Sequence, residues 1–121
     1  MPTTLEQLKE RYSKTEREPD ALGRMITVGM LRPSQETRVR EWIAAGAHSI
    51  VNNTLFIAAS VRQIDQGVFP FPRSREELDA TLDALDREGL EAASKAVERL
   101  HGLDKAAGEQ PTQDVVEAAK N

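Results

Sequence analysis

The chain has 121 residues, 39% of them hydrophobic and 4% aromatic, with 16 basic and 20 acidic groups and a net charge of −4. That length suits one domain with a modest core built from Leu, Ile, Val, Met and Ala, and the acidic balance excludes the Lys/Arg stripe of a nucleic-acid binder. There are no cysteines, which removes disulfides, thiol catalysis and thiolate metal sites.

From the N-terminus, Leu5, Leu8 and Tyr12 are spaced as one helical stripe that opens at Thr4. The start is polar, with no apolar stretch to serve as a signal peptide, so a soluble cytoplasmic protein is expected. This helix cannot run far past Glu18, because Pro19 disfavours helix in the residue before it. Residues 20–23 read as a turn or a short helical cap. Arg24 to Leu31 has the β-branched content of a strand, and Gly23 and Gly29 weigh against helix there. No partner strand for it is evident. Pro33, Ser34 and Glu36 mark a helix start with Ser34 as its cap, and Val39, Trp42 and Ile43 form its stripe.

Trp42 to Val61 is then twenty residues without a charge. A membrane span needs roughly 20 predominantly apolar residues, but His48, Ser49, Asn52, Asn53, Thr54 and Ser60 make this run too polar. Ile43, Ile50, Ile57 and Ile64 recur every seven residues, which suggests one long rod. Against it, the seven residues 48–54 include no good helix former. At about 0.5 kcal/mol each they cost on the order of 3 kcal/mol. Two helices are expected, with a break between Gly46 and Asn53. The second is capped by Asn52 or Asn53, begins near Thr54, continues through Val61 and Ile64, and ends at a C′ glycine, Gly67.

Val68 to Pro72 reads as an extended connector. Ser74 and Glu77 form a capping box for a helix through Leu78, Leu82 and Leu85. Leu90, Ala93, Val97 and Leu100 continue it, either through Gly89 or as a second helix after a break at residues 86–89. The expected fold is therefore mainly α: about four to five helices in a single domain over 1–107, with a short strand around 24–31. Residues 108–121 are expected to be a mobile tail. Their only strong hydrophobes are Val115 and Val116.

The order of these features resembles a known family. The segments R-x-I-T-V-x-x-L from Arg24, W-I-A-A-G from Trp42, I-A-A-S-V-R-Q-I-D-Q-G from Ile57, V-F-P-F-P-R-S from Val68 and E-E-L-D-A-T-L-D-A-L-D-R-E-G-L-E-A-A from Glu76 carry the likeness. They resemble small proteins of phage and prophage tail-morphogenesis clusters, of the tail assembly chaperone type, over roughly Gly23 to Leu100. Gln66 departs from the pattern, where Gly after Asp is more usual. The resemblance implies a non-enzymatic protein, working in the host cytoplasm, that binds a long helical tape-measure protein, keeps it soluble and helps to recruit tail-tube subunits.

Partner-binding candidates are Trp42, Phe56, Phe69 and Phe71. Trp42 reads first as a core anchor, and the two Phe residues between prolines suit packing as well as capture of a partner. A second reading centres on His48. Residues 48–53 are similar to the H-x-[VI]-K-N-N motif of one class of histidine kinase dimerisation helices. That would make His48 a phosphoacceptor in a phosphotransfer or regulatory helical-hairpin dimer. Val51 stands where that motif has Lys, and Ala47 replaces its usual acidic or His neighbour. His48 and His101 lack the spacing of a metal pair. The acids Glu76, Glu77, Asp79 and Asp83 suit the dipole of a capped helix. No catalytic residue, metal site or cofactor is expected, and the partner is a protein, with neither nucleic acid nor membrane; a homo-oligomer is a further possibility along the Ile series.

Overall fold

The computed structural model describes the backbone of residues 3–43 and 49–120, and the side chains of residues 3–43 and 53–102. In chain order the elements are α1 (Thr4–Ser13), β1 (Thr15–Pro19), β2 (Met25–Gly29), α2 (Pro33–Trp42), α3 (Ser49–Ser60), β3 (Val61–Ile64), β4 (Gly67–Val68) and α4 (Arg75–Lys120). The four strands form one antiparallel sheet in the order β1-β2-β3-β4. The expectation of a mainly helical domain with one short strand is thereby corrected: the fold is mixed, with helices packed on a sheet.

The strand expected around 24–31 is β2, and its partners lie in segments with no apolar alternation of their own. β1, Thr-Glu-Arg-Glu-Pro, pairs Glu16 with Val28 and Glu18 with Ile26. Its two carboxylates face the helix layer, where Arg99 of α4 meets Glu16 at 3.1 Å, Glu18 at 2.7 Å and the Arg17 carbonyl at 2.6 Å. An inward-facing charge cluster and the terminal Pro19 are devices that blunt an edge strand. The β1–β2 turn is closed by Gly23 at φ +83°, a conformation glycine adopts freely.

β3 was expected to continue a helix. Instead α3 stops at Ser60, whose hydroxyl donates to the Phe56 carbonyl at 2.8 Å, and Val61 and Ile64 become buried strand residues facing Val28 and Ile26. Helical spacing and burial in a strand coincide here because the apolar residues at 61 and 64 satisfy both. Gly67 is no helix cap. It pairs with Ile64 across a two-residue turn in which Asp65 takes the positive φ, +51°. The Asp65 carboxylate accepts from the Met25 N–H at 2.8 Å, fastening the turn to β2.

Two helices, α2 and α3, stand where two were expected, but α2 already ends at Trp42, before Gly46, and residues 49–53 of the expected break are helical. The second begins at Ser49, earlier than the Asn52/Asn53 caps expected, so residues 49–54 are helical despite their low propensity. Packing of Leu55, Ala58 and Ala59 in the core outweighs a cost of a few kcal/mol. The rod implied by the isoleucines does not form: Ile57 is in α3, Ile64 in β3, and Ile43 is the C-cap of α2. Ser34 is not the cap of α2. The N-cap is Arg32, whose N–H donates to the Gln35 side chain at 2.9 Å, with Pro33 at the first helical position. At α4 the Glu77 N–H donates to Ser74 Oγ at 3.2 Å, while the Glu77 carboxylate accepts from the Arg73 N–H at 2.9 Å.

α4 carries a sharp kink at Asp86, with φ +56° and ψ −167°, so the chain does break between the two leucine sets. Gly89 permits it: a Cβ there would lie 3.0 Å from Leu85 and 3.2 Å from the Arg24 guanidinium. The carbonyls of Ala84 and Leu85, each beyond reach of a regular helical partner, accept from Arg24 at 2.6 Å. Asp20 in turn holds Arg24 at 2.8 Å and also accepts from the Leu22 and Arg24 N–H groups. Burial tends to raise the Asp20 pKa, but the hydrogen bonds and charge of Arg24, with the Leu22 N–H, hold it below its ordinary value. Beyond the kink, Ala92, Ala93, Ala96 and Leu100 close the core over the inner sheet face. The expected tail from residue 108 lies outside the described side chains.

Candidate partner-binding groove

Arg62 is the extra residue of a β-bulge, since β2 and β3 pair Thr27 with Gln63 but Val28 with Val61. The bulge turns its side chain across Gly29, where a Cβ would collide with the guanidinium, and Arg62 donates to the Met30 carbonyl at 2.9 Å. This places a cation at the rim of a groove. The guanidinium pKa is lowered, first by burial and then by the charge of Arg32.

The groove has two adjoining chambers that share Tyr12 and Leu31. The larger encloses about 550 Å³ between α1, α2, α3 and α4, over Met30, Phe56, Ile57 and Val97. The smaller, about 250 Å³, lies between α2, β3 and the connector that carries Phe69, Pro70 and Phe71. Arg32 sits 4.9 Å from the Tyr12 ring centre and Arg40 sits 5.7 Å from that of Phe56. Each such contact contributes about 0.5–1 kcal/mol at an exposed site. Glu36 and His101 also line the larger chamber.

Of the residues singled out in the sequence, Phe56 lines the larger chamber and Phe69 and Phe71 the smaller. Trp42 stands behind them, stacked on Phe71 with ring centres 5.9 Å apart and planes 23° apart. Its carbonyl accepts from Arg75 at 2.8 Å, which ties the end of α2 to the start of α4. Trp42 is therefore a support for the groove rather than part of its surface. His48, the phosphoacceptor of the second reading, lies outside the described residues. Among the described residues no cluster of His, Asp or Glu could hold a metal ion, and no helix is long and apolar enough to cross a membrane.

Sequence reasoning missed the arginines and Tyr12 as groove residues. Tyr12 was visible as the last member of the Leu5–Leu8 stripe. Nothing local marks Arg62 as a neighbour of Arg32, because the two come together only once β3 pairs with β2, and Arg40 borders the adjoining chamber.

A second concavity lies on the outer face of the sheet, lined by Thr15, Arg17, Thr27, Gln63 and Asp65 among others. It is larger and open, but polar, with no aromatic residue to anchor a partner. Affinity comes mainly from buried aromatic and apolar anchors, so the aromatic groove is the stronger candidate. Compared with models of protein families, with curated proteins and with solved structures, the chain matches none.

Proposed function

We propose that this protein is a non-enzymatic binding and assembly factor of the tail assembly chaperone type, which holds an apolar helix face of a long tape-measure protein in the groove described above. The observation that carries this reading is the groove itself: one open surface lined by Tyr12, Phe56, Phe69 and Phe71, built from several separate elements. Helices bind such grooves through anchors at i, i+3, i+4 and i+7. A tape-measure protein has helix faces that need cover until the tail tube encloses it, and a surface of aromatic side chains with a polar rim suits temporary cover. Leu5 and Leu8, 62% and 40% exposed, lie on the same face of α1 as Tyr12 and extend the apolar surface beyond the groove.

The test is co-expression with a tape-measure protein from a tail-morphogenesis cluster that carries a gene for this chain. Soluble yield of the long protein rises with wild type and with the sheet-face variant Thr27→Ala, and does not rise with Phe56→Ala. A yield unaffected by wild type overturns the proposal.

A further inference from the structure

The distribution of charge around the groove says more about the occupant. The chain as a whole is acidic, and Arg24, Arg73, Arg75, Arg99 and Lys95 each face a carboxylate. Arg32, Arg40 and Arg62 differ, as do Arg17, Arg38 and Arg87, which lie outside the groove linings. None of the first three forms an ion pair among the described residues, and all three border the groove. Among the described residues, Glu36 is the single carboxylate in the linings of the two chambers. Among the described residues, a protein with more acids than bases thus gathers three arginines without an ion pair around one apolar surface.

We infer that the groove takes an acidic amphipathic helix of the partner protein, its apolar stripe against Phe56 and Tyr12 and its flanking carboxylates against Arg32, Arg40 and Arg62. This rests on the groove being the partner site proposed above, and adds to it the charge of the segment that binds. Guanidinium forks match carboxylates in geometry and lose less entropy per bond than ammonium groups. The floor between them, with Met30, Leu31, Ile57 and Val97, offers apolar cover for the helix stripe. A single-stranded nucleic acid is the other anionic partner that arginines and aromatics suggest. It needs ring faces on which successive bases stack, and here one face of the Tyr12 ring and one of the Phe56 ring are already taken by a guanidinium, which leaves ring edges and the remaining face to meet an apolar stripe.

The experiment uses the full chain and fluorescence anisotropy with three labelled probes. One is a synthetic helix of about 18 residues, five turns, with Leu and Phe at i, i+3, i+4 and i+7 and Glu on both flanks. The second replaces each Glu by Lys, and the third is an oligouridylate strand. The acidic helix binds at least about tenfold more tightly than the Lys helix, and the preference shrinks as salt rises. Arg40→Glu removes the preference, whereas Arg38→Glu, the same change of charge on the same helix but outside the groove linings, keeps it. Equal binding of the two helices overturns the inference and leaves the groove as a helix site. Tighter binding of the oligouridylate overturns it in favour of nucleic acid. Failure of both helices to bind, with co-expression still raising solubility, overturns it and separates it from the functional proposal.

Discussion

The two sides of this small protein use arginine in opposite ways. On the side where α4 closes over the sheet, Arg24 and Arg99 each use all three guanidinium nitrogens: one joins Asp20 to the carbonyls of Ala84 and Leu85, the other joins Glu16, Glu18 and the Arg17 carbonyl. At the groove, Arg32 and Arg40 rest on aromatic rings and Arg62 spends one N–H on a backbone carbonyl. The first pattern joins elements distant in sequence, so its loss is felt as instability. The second leaves donors and charge at the groove, so under the proposed function its loss is predicted to show in binding rather than in stability. A side chain's partners therefore separate arginines that hold the fold from arginines that present a surface.

That contrast can be broken most severely at Arg24. Arg24→Ala leaves the Asp20 carboxylate, whose side chain has no solvent exposure, buried without its cation, and frees two helix-end carbonyls. Loss of one partner of a buried pair costs about 3–5 kcal/mol, to be read as a lower midpoint in urea unfolding. Gly89→Ala acts on the same joint from the other side, forcing Leu85 and the Arg24 guanidinium apart. Overpacking of this kind costs about 1–3 kcal/mol, from which the helix preference of Ala over Gly, about 1 kcal/mol, is subtracted. Asp86→Gly goes the opposite way: it removes a side chain from a backbone conformation that costs a non-glycine residue about 1–3 kcal/mol. Glycine's own entropy offsets part of that, so a net gain of about 1 kcal/mol is expected in the same unfolding assay. Smallest of all, Arg40→Ala leaves the unfolding midpoint within about 0.5 kcal/mol of wild type, while binding of the acidic helix weakens. An Arg40 variant as unstable as Arg24→Ala would erase the distinction between the two sides.

The acid limb of stability sharpens the comparison further. Asp20 has its pKa lowered in the folded protein from an ordinary value of 3.8, so in acid the unfolded chain takes up its proton first. Its contribution is complete above that ordinary value and is lost as pH falls through the lower folded value. Unfolding followed below pH 4 should therefore show a steeper loss in wild type than in Asp20→Asn, which starts less stable but has no such carboxyl to protonate. Arg40→Ala leaves Asp20 and its hydrogen-bond partners untouched, so it should keep the wild-type slope.

Much of the local structure was legible from the chain. The α1 stripe, the turn at 20–23, the strand at Met25–Gly29, the pair of helices α2 and α3 and the Ser74 cap all follow from propensity, spacing and capping chemistry. The sheet was not. β1 is charged on the side that faces the helices, and its carboxylates become intelligible only with Arg99, about eighty residues away. Val61 and Ile64 fit a helical period as well as a strand, and only pairing with Val28 and Ile26 decides between the two. The groove was half legible. Phe56, Phe69 and Phe71 stood out as aromatics in a chain poor in them, whereas Tyr12 and the three arginines gain their meaning from tertiary placement. Trp42, read first as an anchor, is stacked on Phe71.

Trp42 also supplies the most direct test, being the chain's single tryptophan and in contact with a ring that lines the groove. Titration of a tryptophan-free acidic amphipathic helix is followed by Trp42 emission in wild type, Phe56→Ala and Thr27→Ala. A saturable change in wild type and in the sheet-face variant, with at least about tenfold weaker binding in Phe56→Ala, is the predicted result. Equal titrations in all three proteins, or no saturable change in any, would contradict the assignment of the groove as the partner site.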